Sequence, residues 1–290
     1  MEPTQIKFIF IGGCGRSGTT LVQKLLILHS KITGNGEFDF LAPLMHVFDQ
    51  MSNPEHLKRQ SFFYNKEQLG DIWKKHIEAL LTSNIDVSKF EYLSEKTPNN
   101  IYCAEQLLEL IPGSKFIYVY RDGRDVISSF KQVKKRAKSK GEQLPNSIKD
   151  WASMWNNTSQ KYHQLKNNDK FNGRHIAIKY EDLVNSPEES IANLMIFLGL
   201  QVEKAQLHPE TEKGSFELKS DDVWYTHKMH NQEINAGNIA KWKNDLNMIQ
   251  KIVYQTIMAP RLCEYSYPIS TFYIRLNTFL KKSTFRSLSK

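Results

Sequence analysis

Cysteine is scarce: Cys14, Cys103 and Cys263 are the chain's three, widely spaced and odd in number. That excludes a disulfide framework and a C-x-x-C metal or redox pair, and it implies a reducing compartment. Long apolar runs are missing as well. None approaches the roughly 20 residues needed to span a bilayer, and Met1-Glu-Pro-Thr-Gln-Ile-Lys7 lacks the layout of a signal peptide. A cytoplasmic protein is expected. There is no internal repeat and no low-complexity linker. The nine histidines form no ligand set, and His227 and His230, three apart, have no supporting ligands, so no metal is expected.

A net charge of +8 and a pI near 9.2 point to an acidic ligand or surface. Apolar periodicity gives the architecture. Lys7–Ile11, Tyr92–Ser94, Lys115–Tyr120 and His175–Lys179 read as strands. Helices are expected at Thr19–His29, over most of 41–90, and at Ile101–Leu110, Val126–Val133, Trp151–Leu165, Glu188–Leu198 and Asn247–Met258. The basic stretch 131–149 reads as an exposed excursion, and 201–238 as irregular. Strands alternating with helices predict an α/β fold with a parallel sheet flanked by helices. It forms a single domain over 1–264 with helical and loop insertions, followed by a basic tail at 265–290.

The chemistry concentrates at one loop. Phe8-Ile-Phe-Ile11 runs into Gly12, Gly13, Gly15 and Gly18, and a helical pattern opens at Thr19. A strand, a tight turn and a helix N-terminus make an anion cradle. From Gly13 to Gly18 the spacing fits the nucleoside-triphosphate P-loop, but Thr19 stands where that motif requires lysine. The only cation in the loop is Arg16. In a parallel sheet ligands sit beyond the carboxyl ends of the strands, and Glu95-Lys-Thr-Pro98 and Arg121-Asp-Gly-Arg-Asp125 fall at two more such ends.

Gly15-Arg-Ser-Gly-Thr-Thr20 after a strand, with Arg121-Asp-Gly-Arg124 and Ser129 downstream, resembles the PAPS-dependent sulfotransferases, above all the tyrosylprotein sulfotransferase branch and its bacterial relatives. PAPS is 3′-phosphoadenosine 5′-phosphosulfate. Gly36-Glu37, Glu95-Lys-Thr-Pro98 and Gly237-Asn-Ile-Ala-Lys-Trp242 extend the likeness over residues 7–243. The family's loop begins with proline where this chain has Gly15. The resemblance implies a P-loop-like sulfotransferase fold and an enzyme moving a sulfuryl group to an acceptor hydroxyl on a tyrosine, glycan, lipid or small molecule. PAPS would be the donor and 3′,5′-adenosine bisphosphate (PAP) the product, without a metal.

It also implies roles for particular residues. Gly15, Arg16, Ser17, Gly18, Thr19 and Thr20 hold the 5′-phosphosulfate, and Arg121 and Ser129 hold the 3′-phosphate. Lys241 is a late donor contact. Glu37 is the base, and Lys96 and Arg16 stabilise the transferring group. The bland alternative for Lys96 is an ion pair with Glu95. Thr226 is one candidate for the family's late serine.

Two other functions compete. A P-loop kinase predicts Mg-dependent ATP binding, and a non-catalytic nucleotide- or polyanion-binding protein predicts that Glu37 is dispensable. The basic run Lys131–Lys140 has no nucleic-acid fold signature beside it, so no nucleic-acid partner is expected. In the tail, Phe272, Leu276, Phe279 and Leu280 share one helical face, and Arg275, Lys281, Lys282 and Arg286 supply charge. This segment either packs on its own domain or lies at a membrane surface.

Overall fold

Alternation decides the layering. In β1 (Lys7–Gly13), Phe8 and Phe10 turn to one face and Ile9 and Ile11 to the other, and all four are buried. A strand covered on both faces belongs inside a parallel sheet. The computed structural model, which describes residues 6–144, 147–209, 223–224, 234 and 236–288 (backbone only at 148 and 281–288), places β1 at the sheet's centre. The order is β2 (Ile32–Gly34), β3 (Tyr92–Lys96), β1, β4 (Lys115–Tyr120), β5 (His175–Lys179), all parallel.

The helices of the first half are α1 (Thr19–Ile27), α2 (Leu41–Met51), α3 (Pro54–Gln60), α4 (Lys66–Thr82), α5 (Ala104–Leu110) and α6 (Gly123–Ser139). Those of the second are α7 (Ile148–Lys166), α8 (Tyr180–Asn185), α9 (Pro187–Leu198), α10 (Lys204–Leu207), α11 (Trp242–Asp245), α12 (Met248–Glu264) and α13 (Thr271–Leu288). One face of the sheet packs Phe8, Phe10 and Phe116 against α2, α4, α5 and α7. The other packs Ile9, Ile11 and Val119 against α1 and α9. A third apolar cluster joins α6, α7 and α12 through Phe130, Trp151, Trp155 and Met258, and Cys14 of the loop packs into it. That cluster anchors the elements beyond the strand ends, where the site lies.

Several sequence expectations need correction. The run from 131 is not an excursion, because α6 continues to Ser139. Phe130, Val133 and Ala137 recur at helical spacing and are buried, so an apolar stripe carries the helix on beneath its cations. Arg136 donates from Nε to the Val223 carbonyl at 2.9 Å, and Lys131 donates to the Asp245 carbonyl. β3 runs on through Glu95 to Lys96, all five residues buried. β2 escaped the periodicity because three residues are too few to alternate. The segment after Thr97 begins as a 3₁₀ turn, Pro98–Cys103, and becomes α-helical only at Ala104.

α12 also outruns its expected end at Met258, passing through Pro260 to Glu264. Proline has no N–H to give the carbonyl four residues back, and the Thr256 carbonyl accepts a hydrogen bond from the Asn277 side chain of α13. Between these helices Tyr265 stacks on Tyr120 at 4.6 Å and Tyr267 is buried. Thr226, His227 and His230 lie outside the described residues.

Candidate active site

Register sets the stage. Ile11 of β1 pairs with Lys96 of β3, and Gly13 pairs with Val119 of β4. The glycine loop therefore leaves the sheet between the strand ends that carry Lys96 and Arg121. Adjacent strands lie about 4.8 Å apart, so these two flanking positions are on the order of 10 Å from each other.

The loop is built for close approach. A Cβ on Gly13 would sit 2.3 Å from the Val119 carbonyl oxygen. Gly18 has φ 101°, and a Cβ there would meet the Tyr180 ring at 2.6 Å. Arg16 holds φ 72°, a left-handed conformation that costs a non-glycine residue on the order of 1 kcal/mol. Such strain clusters at ligand-binding turns. Ser17 is fully buried, and its hydroxyl has no hydrogen-bond partner among the described residues. Thr19 is buried at the first turn of α1 and Thr20 half-buried, with Gly15 half-buried at the loop's start. No acidic residue lies in that first turn. Burial pushes the Cys14 thiol up to about 12, so it stays protonated and its part is packing.

Arg16 donates from Nε to the Ser129 hydroxyl at 3.1 Å and from NH1 to the Trp224 carbonyl at 2.9 Å. Arg121 donates to the Arg16 carbonyl at 3.2 Å and to the Asn238 carbonyl at 2.6 Å, and its guanidinium lies 4.4 Å above the Tyr180 ring. Its Nε is buried and unpartnered among the described residues. Lys241 is exposed and reaches Asn238 Oδ1 at 2.6 Å. Arg16, Ser129, Arg121 and the loop bearing Lys241 thus form one cluster.

The rest of the Arg121–Asp125 segment holds that cluster in place. Asp122 caps α6 and binds Arg124 through both its oxygens, while the Arg124 guanidinium covers the Trp242 ring at 4.2 Å. Asp125 accepts the backbone N–H of Ala240 at 2.7 Å and of Trp242 at 2.9 Å. Burial raises the Asp125 pKa despite these bonds. The Trp155 indole anchors the Arg121 carbonyl at 3.0 Å, and Glu181 accepts the Asp122 N–H at 2.9 Å.

On the other side of the loop Lys96, 1% exposed, ion-pairs with Glu37. This differs from the alternative of a pair with Glu95, because Glu95 is occupied elsewhere. It accepts the Phe38 backbone N–H at 3.1 Å, the Thr97 hydroxyl at 2.7 Å and the Asn100 side-chain amide. Thr97 in turn accepts the Asp39 N–H at 3.1 Å. Asp39 has φ 63°, so the chain turns sharply here. Gln23 of α1, fully buried, donates to the carbonyls of Asn35 and Ser94. These bonds fasten 35–39 over the end of β3 and bring Glu37 to Lys96. Burial raises the Glu95 pKa, partly offset by its donors.

The bond from the Phe38 backbone to Glu95 and the Asp125 clasp were not anticipated from sequence, although both carboxylates lie inside motifs already singled out. The sulfotransferase family model matches residues 9–204. The chain belongs to the sulfotransferase family. It is 26% identical to the protein-tyrosine sulfotransferase of Drosophila melanogaster, over 71% of this chain and 40% of that one. To protein-tyrosine sulfotransferase 2 of Gallus gallus it is 28% identical, over 71% and 54%. The chain thus spans about half, or less, of the length of these two relatives.

Among solved structures, the sulfotransferase domain from the curacin biosynthetic pathway superposes with a TM-score of 0.62 at 21% identity, over 92% of this chain and 99% of that one. A mouse sulfotransferase solved in complex with PAP gives 0.54 at 12%, over 94% and 89%. These likenesses bear on the fold: a parallel sheet flanked by helices, shared with sulfotransferases.

Proposed function

We propose that the protein transfers a sulfuryl group from PAPS to an acceptor hydroxyl. The observation that carries this reading is the meeting, at one anion-favouring loop, of two buried donors without a partner among the described residues, Ser17 Oγ in the loop and Arg121 Nε beside it. An unmade buried hydrogen bond costs about 1–3 kcal/mol, so such groups are kept for a ligand. The donor set suits a nucleotide with two separate anionic ends. The loop N–H groups, Ser17, Thr19 and Thr20 would take the 5′ end, and Arg121, Ser129 and Lys241 the 3′-phosphate, with Arg16 between. PAPS, when bound, supplies an activated sulfuryl group and a phosphate leaving group.

The chain's own residues do the rest. Glu37 Oε1, held by Lys96, takes the proton of the attacking hydroxyl. Lys96 Nζ, released from part of that ion pair as the carboxylate becomes neutral, stabilises the charge gathering on the leaving phosphate oxygen. The donor would supply the sulfuryl group, whose bond to the phosphate oxygen would be exchanged for one to the acceptor oxygen, and the acceptor's proton would stay on Glu37. Glu95 and Thr97 position this pair without touching the reacting atoms.

The named relatives suggest a tyrosine phenol as acceptor, with glycans, lipids and small hydroxylated molecules as the other arms of a test. Incubation with radiolabelled PAPS and a panel of tyrosine peptides, glycans, sterols and phenols tests the reading. Label transfer to a hydroxyl acceptor is expected. Labelled phosphate transfer from ATP under the same conditions, with none from PAPS, would favour the kinase reading instead.

A further inference from the structure

We propose that α12 and α13 form a docking face for an anionic lipid surface. Among its described residues, α13 meets its domain through one side. Its Asn277 reaches the Thr256 carbonyl left free by Pro260, and Tyr273, Ile274 and Leu276 are half-buried. On the remaining surface Phe272, Phe279 and Leu280 are 58%, 67% and 48% exposed. Phe272 and Phe279, seven apart, stand above one another on the same side.

α13 follows α12 after the short link 265–270, and the Asn277–Thr256 bond fixes the two as antiparallel. The second half of α13 therefore runs beside the start of α12. There Met248 and Ile249 are about three-quarters exposed, and Ile252 and Val253 more than a third. Seven apolar side chains on one helical pair are more than a third exposed, and large exposed apolar patches on proteins mark interaction sites.

Charge selects the occupant. Residues 265–290 carry Arg275, Lys281, Lys282, Arg286 and Lys290 and no Asp or Glu. A two-fold contact with a second copy would set these cations against themselves. An apolar slab with an anionic surface matches both features, and each cation near such a surface raises binding roughly fivefold. Among the described residues no helix is long and apolar enough to cross a membrane, so the contact is interfacial.

Vesicle sedimentation of the full chain tests this without reference to the donor site. With vesicles of phosphatidylcholine and phosphatidylglycerol at low salt the protein is expected to pellet, and with phosphatidylcholine alone to stay in solution. Phe272→Ser with Phe279→Ser should weaken pelleting at least ~10-fold. Because both rings are exposed, melting temperature and PAP affinity should stay at parental values. A triple change of Arg275, Lys281 and Lys282 to Gln should weaken pelleting and its salt dependence together. Equal pelleting of parent and double variant, no pelleting on the anionic vesicles, or a parental dimer that the serine changes dissociate would each overturn the proposal. Loss of sulfuryl transfer with pelleting intact would bear on the proposed function alone.

Discussion

Glu95 and Lys96 are neighbours with separate tasks. Lys96 pairs with Glu37, the base in the proposed mechanism, while Glu95 holds the backbone that carries Glu37. Replacing the proposed base, Glu37→Gln, should leave PAP affinity unchanged and lower turnover by roughly 10²–10⁴-fold, as read by initial rates with radiolabelled PAPS. A turnover equal to the parent's would remove Glu37 from the chemistry. Thr97 offers a finer probe, because its hydroxyl both donates to Glu95 and accepts from Asp39. Thr97→Val should cut turnover by about ten- to a hundredfold, the equivalent of one buried pair left unmade. Thr97→Ser, which keeps the hydroxyl, should stay near parental rates. If serine and valine behave alike, the hydroxyl does not position the base.

Among the elements, α6 begins with residues that bind a loop far along the chain. Asp125 lies 115 residues from Ala240 and 117 from Trp242, yet its two oxygens take both backbone N–H groups. Asp125→Asn places an amide donor against one of these donors. It should loosen the turn bearing Asn238 and Lys241 and weaken PAP binding about tenfold, measured by calorimetry, with α6 still formed by circular dichroism. Unchanged affinity would show the clasp to be structural only.

This clasp also marks where sequence reading stopped. The glycine loop was legible because a strand, a turn and a helix start are written consecutively, and Lys115–Tyr120 and His175–Lys179 were legible because alternation is local. The backbone groups that Glu95 and Asp125 bind, those of Phe38, Ala240 and Trp242, were not, since a backbone N–H carries no side-chain signature. The end of α6 was misjudged for a related reason: Lys134, Lys135 and Lys138 hide the buried Val133 and Ala137 in any average over the segment.

For the molecule as a whole, three buried carboxyls, those of Glu95, Asp125 and Glu181, have pKa values raised, in each case chiefly by burial. A raised carboxyl binds its proton more tightly in the folded chain than in the unfolded one. Between the ordinary and the raised value the native state therefore holds more protons, and stability gains as pH falls through that window, then levels off. Glu181 accepts from Asp122 and Tyr267 rather than from a ligand, so it isolates the effect. Glu181→Gln should make the melting temperature rise less on mild acidification than the parent's does. A steeper rise in the variant would contradict the sign.

The proposed donor site, assembled from segments more than a hundred residues apart, is tested most directly by titrating PAP and adenosine 5′-monophosphate into the parent and into Arg121→Ala by calorimetry. The two ligands differ only in the 3′-phosphate, and a charge-assisted contact contributes about 1.5–3 kcal/mol. The parent should bind PAP at least roughly tenfold more tightly, and Arg121→Ala should bring the two affinities together. Equal affinities in the parent, or a preference for PAP undiminished in the variant, would contradict the assignment of this site.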